Sequence, residues 1–242
     1  MSECKILTMT SEKITAHLIG LADSERAMHA LRFFKTGKGE YGEGDKFLGV
    51  RVPMIRQAVR QYKAASLMTA EKLLKSEYHE IRLFALLLLV SRFAKGGDSE
   101  QGNIYQLYLN NTCHINNWDL VDSSAPYIVG AYLFERDKSI LYKLASSNSL
   151  WERRIAVLAT FWFIRDKQFE DALHIAKQLL NDPEDLIHKA VGWMLREIGK
   201  RDMATETTFL KAHYQVMPRT MLRYAIEKFD KAERQQYLSG KI

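Results

Sequence analysis

The sequence predicts an all-α protein, an α-solenoid of HEAT-like helical repeats, and three observations predict it. Similar helix starts recur at a spacing near 35 residues, no alternating stretch of strand length stands out, and only four prolines fall in 242 residues. The recurring starts are Glu80-Ile81-Arg82-Leu83-Phe84-Ala85, Glu152-Arg153-Arg154-Ile155-Ala156, Ile187-His188-Lys189-Ala190 and Met221-Leu222-Arg223-Tyr224-Ala225. In each a charged turn enters a small residue and then an apolar stripe. Ala156 and Ala190 are 34 residues apart, Ala190 and Ala225 are 35 apart, and Ala85 and Ala156 are 71 apart. The last interval is two periods, and its missing copy falls on Val121.

A preceding helix fits into each period, at 69–76, 104–109, 140–145, 169–180 and 205–214. Stacked pairs of this kind align their second helices along one concave wall, a surface suited to something long. The small residue at each start is expected to let neighbouring helices approach closely. Regular repeats should run from about 66 to 230, within a single domain spanning 1–242.

Ahead of the repeats, Ser11 to Phe34 is helical in pattern and ends against a glycine-rich stretch, Gly37 to Lys46. Its spacing is neither GxxxxGK[ST] nor GxGxxG after a strand, so it reads as a long loop rather than a phosphate cradle. Pro53 then suits the first turn of a helix running to about Tyr62. Lys46, Arg51, Arg56 and Arg60 cluster here, as a solvated face or as part of a basic surface.

The net charge of +6 favours an acidic partner, nucleic acid first and anionic membrane second. The composition, 47% apolar and 26% charged, is that of an ordinary globular protein. Two cysteines, Cys4 and Cys113, form no CxxC pair, and the seven histidines show no ligand spacing. Neither a disulfide framework nor a metal is therefore expected. The polar N-terminus suggests no signal peptide. The longest apolar run, Phe84 to Val90, is far short of a membrane span. A cytoplasmic monomer without cofactor is the expectation.

The departures between copies are where function should lie. The middle copy holds Asn117-Trp118-Asp119-Leu120-Val121-Asp122-Ser123-Ser124-Ala125-Pro126. On a helix Trp118 and Asp122 share a face one turn apart. Asp119 would serve as cap or first-turn charge, which leaves Asp122 unexplained. The next copy carries Trp151, Arg153 and Arg154, and the one after it Lys189 and Trp193. If the second helices line one wall, Asp122, Arg154 and Trp193 converge. Indoles, a carboxylate and a guanidinium would suit a cationic ring, each cation–π contact contributing roughly 0.5–2 kcal/mol. Read structurally instead, the tryptophans are core residues and Asp122 with Arg154 an ion pair between repeats.

Four stretches, FLGVRVPMIR (47–56), NWDLVDSSAP (117–126), LWERRIAVL (150–158) and IHKAVGWMLREIGK (187–200), carry a resemblance. Together they make the chain similar to the AlkD-type DNA alkylation repair proteins, HEAT-like glycosylases that excise alkylated purines, over residues 25–230. The resemblance implies that Trp118 and Asp122, first and last of WDxVD, are active-site residues. It implies the same for Arg154 of W-x-x-R and Trp193 of KAxGW. Phe33 matches a position where the family's pattern has a tyrosine, and the glycine-rich loop is longer than that pattern.

The implied activity is hydrolysis of the N-glycosidic bond of cationic N3- or N7-alkylated purines in duplex DNA. Asp122 would be catalytic, while Trp118, Arg154, Trp193, Phe33, Lys189 and Arg153 would contact substrate or DNA. Two other readings stay open, a non-catalytic binder of damaged or branched DNA and a peptide-binding solenoid.

Overall fold

The computed structural model describes residues 9–242. Among them every regular element is a helix, and the single β contact is an isolated bridge between Lys46 and Tyr78. The chain forms two compact units, one up to Ser124 and the other Ala125–Ile242. Cys4 and the N-terminal stretch on which the signal-peptide expectation rests lie outside the described residues, whereas Cys113 is a free, exposed thiol.

The first unit contains α1 (Ser11–Ile19), α2 (Ser24–Phe33), α3 (Val52–Gln61), α4 (Leu67–Leu74), α5 (His79–Phe93), α6 (Asp98–Asn110) and α7 (Trp118–Asp122). Helix α5 is its centre and packs against α3, α4, α6 and α7. Its residues from His79 to Leu89 are all buried, so the Phe84–Val90 run belongs to a core helix with neighbours on every side.

The helical pattern from Ser11 to Phe34 is two helices. Asp23 leaves the helical conformation, caps Arg26 N through its side chain, and gives its own N–H to the Leu48 carbonyl at 2.8 Å. That contact needs Gly49, whose φ is +78°. A Cβ there would sit 2.1 Å from the Asp23 carbonyl oxygen.

The second unit contains a π-helical turn (Pro126–Gly130) and then α8 (Ala131–Leu133), α9 (Ser139–Ala145), α10 (Leu150–Arg165), α11 (Glu170–Gln178), α12 (Asp185–Gly199), α13 (Met203–His213), α14 (Arg219–Ala225) and α15 (Lys231–Ser239). Helix α12 packs on α10, α11, α13 and α14. The helix pairs fall where the repeat spacing puts them. Ala85, Ala156, Ala190 and Ala225, the small residues of the repeated starts, are fully buried. Close approaches also occur at glycines, as at Gly192, where a Cβ would lie 2.4 Å from the Met221 carbonyl on α14.

Two features depart from the predicted pattern. The middle second helix stops after five residues, because Pro126 has no N–H for the carbonyl four residues back. The Ser124 hydroxyl also bonds the Leu120 carbonyl at 2.5 Å. At the other end α15 extends beyond residue 230, capped by Asp230 on Glu233 N and closed by Gly240 at φ +70°.

Charged residues in two of the repeated starts are tie points. Both Glu80 carboxylate oxygens are taken, by Leu48 N at 2.9 Å and Gly49 N at 2.7 Å. Glu152 accepts from the Ser147 hydroxyl at 2.5 Å.

Candidate active site

Helix α7 begins at Asn117, whose side chain accepts from Trp118 N at 2.8 Å. Asn117, not Asp119, is therefore the cap. Its fully buried side chain also donates to Asp45 at 3.4 Å. One turn of helix then places Trp118 and Asp122 on the same face, both half-buried. Behind Asp122, the buried Tyr108 hydroxyl pairs with Ser124 Oγ at 3.0 Å. Burial raises that phenol well above its ordinary range, Ser124 works against the rise, and the Asp122 charge adds to it.

Trp118 is enclosed by aromatic rings. Phe34 lies 5.3 Å away at a tilt and Phe33 5.8 Å away edge-on. The stack continues through Phe34 onto Phe47 at 5.0 Å and through Phe47 onto His79 at 4.6 Å. Phe33 is 65% exposed, a large ring offered to solvent beside the indole.

Asp119 faces His79. His79 is 2% exposed and sits between two carboxylates, Nε2 2.9 Å from Asp119 and Nδ1 3.3 Å from Asp45. Both ring nitrogens facing acceptors is the arrangement of an imidazolium. Burial works to lower its pKa, but the hydrogen bonds to Asp119 and Asp45 outweigh it and raise the pKa above the ordinary value. Asp45 also accepts from Arg82 Nη2 at 2.7 Å. Burial would raise the Asp45 pKa, yet His79 and Arg82 hold it below the ordinary value. The other Asp119 oxygen, Oδ1, is buried without a hydrogen-bond partner.

The glycine-rich stretch thus acquires a place. It ends in Asp45, the acceptor shared by Arg82, His79, Asn116 and Asn117. It also carries Tyr41, whose hydroxyl accepts from Trp118 Nε1 at 3.2 Å.

In the second unit, α10 and α12 carry the other candidates. Arg154 is 5% exposed and donates to the Leu186 carbonyl at 2.5 Å. Arg153 bonds Asp182 through Nε at 2.6 Å and the Ser147 and Asn148 carbonyls through Nη1, so it braces the start of α10. Lys189 pairs with Asp185 one turn earlier at 2.7 Å. Trp193 gives its indole N–H to Glu197 at 3.2 Å and lies 6.2 Å from the Phe161 ring.

The structure therefore brings Phe33, Trp118 and Asp122 together in the first unit, and sets Arg153, Arg154, Lys189 and Trp193 on two packed helices in the second. Sequence reasoning missed Tyr41, Asp45, His79 and Tyr108. Asp45 and His79 are 34 residues apart, close to the repeat period, but only a paired residue at the other end would have marked either. Among the described residues no group of three His, Cys, Asp or Glu side chains is placed to hold a metal ion, and no helix is long and apolar enough to cross a membrane.

Successive helix pairs, one of which bears a Trp and an Asp one turn apart, define a helical-repeat protein with a candidate site at its one deviant repeat. The chain belongs to the DNA alkylation repair enzyme family, whose model matches residues 14–229. Among solved structures it is similar to a predicted DNA alkylation repair enzyme from Enterococcus faecalis, at 16% identity and a TM-score of 0.67, covering 87% of this chain and 97% of that one. It is also similar to AlkD2 from Streptococcus mutans, at 17% identity and a TM-score of 0.53, covering 92% and 100%. At these identities the likeness speaks for the fold. No curated protein matches by sequence.

Proposed function

We propose that the protein is a DNA glycosylase that hydrolyses the N-glycosidic bond of cationic N3- or N7-alkylated purines in duplex DNA. The observation that carries this reading is α7, where a carboxylate stands one turn from an indole that is itself flanked by the exposed ring of Phe33. Membership of the DNA alkylation repair family supports it.

In this reading the lesion's own charge activates the leaving group. When the bond from C1′ to the purine nitrogen breaks, its electron pair neutralises the cationic ring, so a dedicated general acid is dispensable. The sugar is left with oxocarbenium character. Asp122, as carboxylate, stabilises that charge and orients a water toward C1′, taking its proton as the new C–O bond forms. Trp118 and Phe33 pack on the damaged nucleotide, and Trp193 contacts DNA. Arg154 and Lys189 meet phosphates, while Arg153 holds the start of α10 in place. The enzyme acts as a cytoplasmic monomer on duplex DNA, with no cofactor in the scheme.

The test is release of free base from a duplex carrying one 7-methylguanine, wild type beside Asp122→Asn. Loss of a preorganised charge should slow release by roughly 100-fold or more while leaving DNA affinity nearly intact. Equal rates would remove Asp122 from catalysis. Salt-sensitive DNA binding with no release by the wild type would instead favour the non-catalytic reading.

A further inference from the structure

The glycine-rich loop is folded rather than slack. Gly42 N bonds the Lys35 carbonyl at 3.0 Å, and a Cβ at Gly42 would lie 2.4 Å from the Phe34 carbonyl oxygen, so the loop lies directly on the end of α2. Gly37 N and Gly39 N are each bonded at 2.8 Å by carboxylates of the loop itself, Glu40 and Glu43. Gly39 and Gly44 take positive φ, +78° and +84°, where a side chain would be strained. The far end is fixed by buried Asp45 and by the bond from His79 N to the Lys46 carbonyl at 2.8 Å. A loop tied at both ends and braced within can hold one side chain in a set position. The side chain it delivers is Tyr41, to the indole N–H of Trp118.

An indole has one polar atom, and a single hydrogen bond to it fixes which way the ring plane turns. The rings of Phe33 and Phe34 limit where Trp118 can sit, but neither offers an acceptor in its plane. We propose that Tyr41 is a positioning residue for this site. Its hydroxyl sets the orientation of the Trp118 indole against which the damaged nucleotide packs, and the long loop supplies a hydroxyl that Phe33 lacks. This rests on the glycosylase reading for its consequence in catalysis, though not for the hydrogen bond itself.

Tyr41→Phe removes one oxygen and leaves the ring that fills the space. Its first readout is the indole N–H resonance of Trp118, assigned by its disappearance in Trp118→Phe. The second is single-turnover base release from 7-methylguanine duplex, with Kd measured in parallel. Expected in Tyr41→Phe are a shifted and faster-exchanging indole proton and a release rate lower by about fivefold to tenfold, the equivalent of one ordinary hydrogen bond. Kd should hold within about twofold on the same argument. In the Trp118→Phe background the Tyr41→Phe change should then cost almost nothing, because the pair acts as a unit. An unmoved indole resonance overturns the proposal, as does a rate loss that persists at full size without Trp118. If the wild type releases no base, the glycosylase reading fails, and the indole resonance still decides whether Tyr41 holds Trp118.

Discussion

His79 Nε2 lies 2.9 Å from Asp119, the residue next to Trp118, while Nδ1 of the same ring faces Asp45. A buried imidazolium therefore ties α7 to the glycine-rich loop from inside. Because its pKa is raised on folding, its contribution is complete below the ordinary value of about 6.5 and is lost as pH rises through the folded value. His79→Gln should destabilise the protein by about 3–5 kcal/mol at pH 6, as buried charged pairs do when one partner is removed. It should also flatten this part of the decline toward alkaline pH. Thermal melts between pH 5.5 and 9 check it, and parallel curves for wild type and variant would contradict an imidazolium at His79.

The repeat spacing and the family motifs located the helix pairs and the Trp118–Asp122 pair, because both depend on local periodicity. What binds these elements together was not legible. His79 and Asp45 are polar residues without a pattern, and their meaning arises only when α5, the loop and α7 meet. The short middle helix was half visible, since Pro126 is an open signal, but its effect depends on where the preceding helix starts. The burial of charges within the repeated starts was not legible either. Glu80 and Arg82 are in fact buried, because their partners are backbone N–H groups and a distant aspartate that spacing alone does not reveal.

Gly49 stands at φ +78° with its α carbon against the start of α2. Gly49→Ala adds a strained backbone and a methyl group inside contact distance of Asp23 and Ala27. A loss of about 2–4 kcal/mol is expected, within the range for strain at a special backbone conformation combined with overpacking. Phe47, two residues away, would be displaced from the Trp118 stack. Denaturant unfolding measures the loss, and a change under about 0.5 kcal/mol would show that this segment adapts without cost.

Arg154 separates binding from packing. A guanidinium that neutralises one phosphate contributes about 0.9 to the slope of log affinity against log salt. Arg154→Gln should reduce the slope by about that amount and weaken binding at low salt. Titration of fluorescent duplex at several salt concentrations reads it directly. An unchanged slope with a lower melting temperature would assign Arg154 to the contact with the Leu186 carbonyl and remove it from the DNA surface.

Glu206 on α13 is 1% exposed, and its Oε1 is buried without a hydrogen-bond partner. Burial pushes its pKa up to about 8, only partly relieved by the charge of Arg196 and reinforced by Glu233. Here the raised value belongs to an acid, so the folded state retains a proton that the unfolded chain gives up near its ordinary value of 4.5. The unfolded state is therefore favoured progressively as pH climbs from 4.5 to about 8, and the cost then levels off. Glu206→Gln removes the titration while keeping the shape. It should stabilise the second unit at pH 7.5 on the order of 4 kcal/mol, with the gain vanishing below pH 4.5. Because His79 contributes a decline at higher pH, the comparison must be made variant against wild type at each pH. A gain that is the same at pH 4 and pH 7.5 would mean that Gln improves packing and that Glu206 ionises normally.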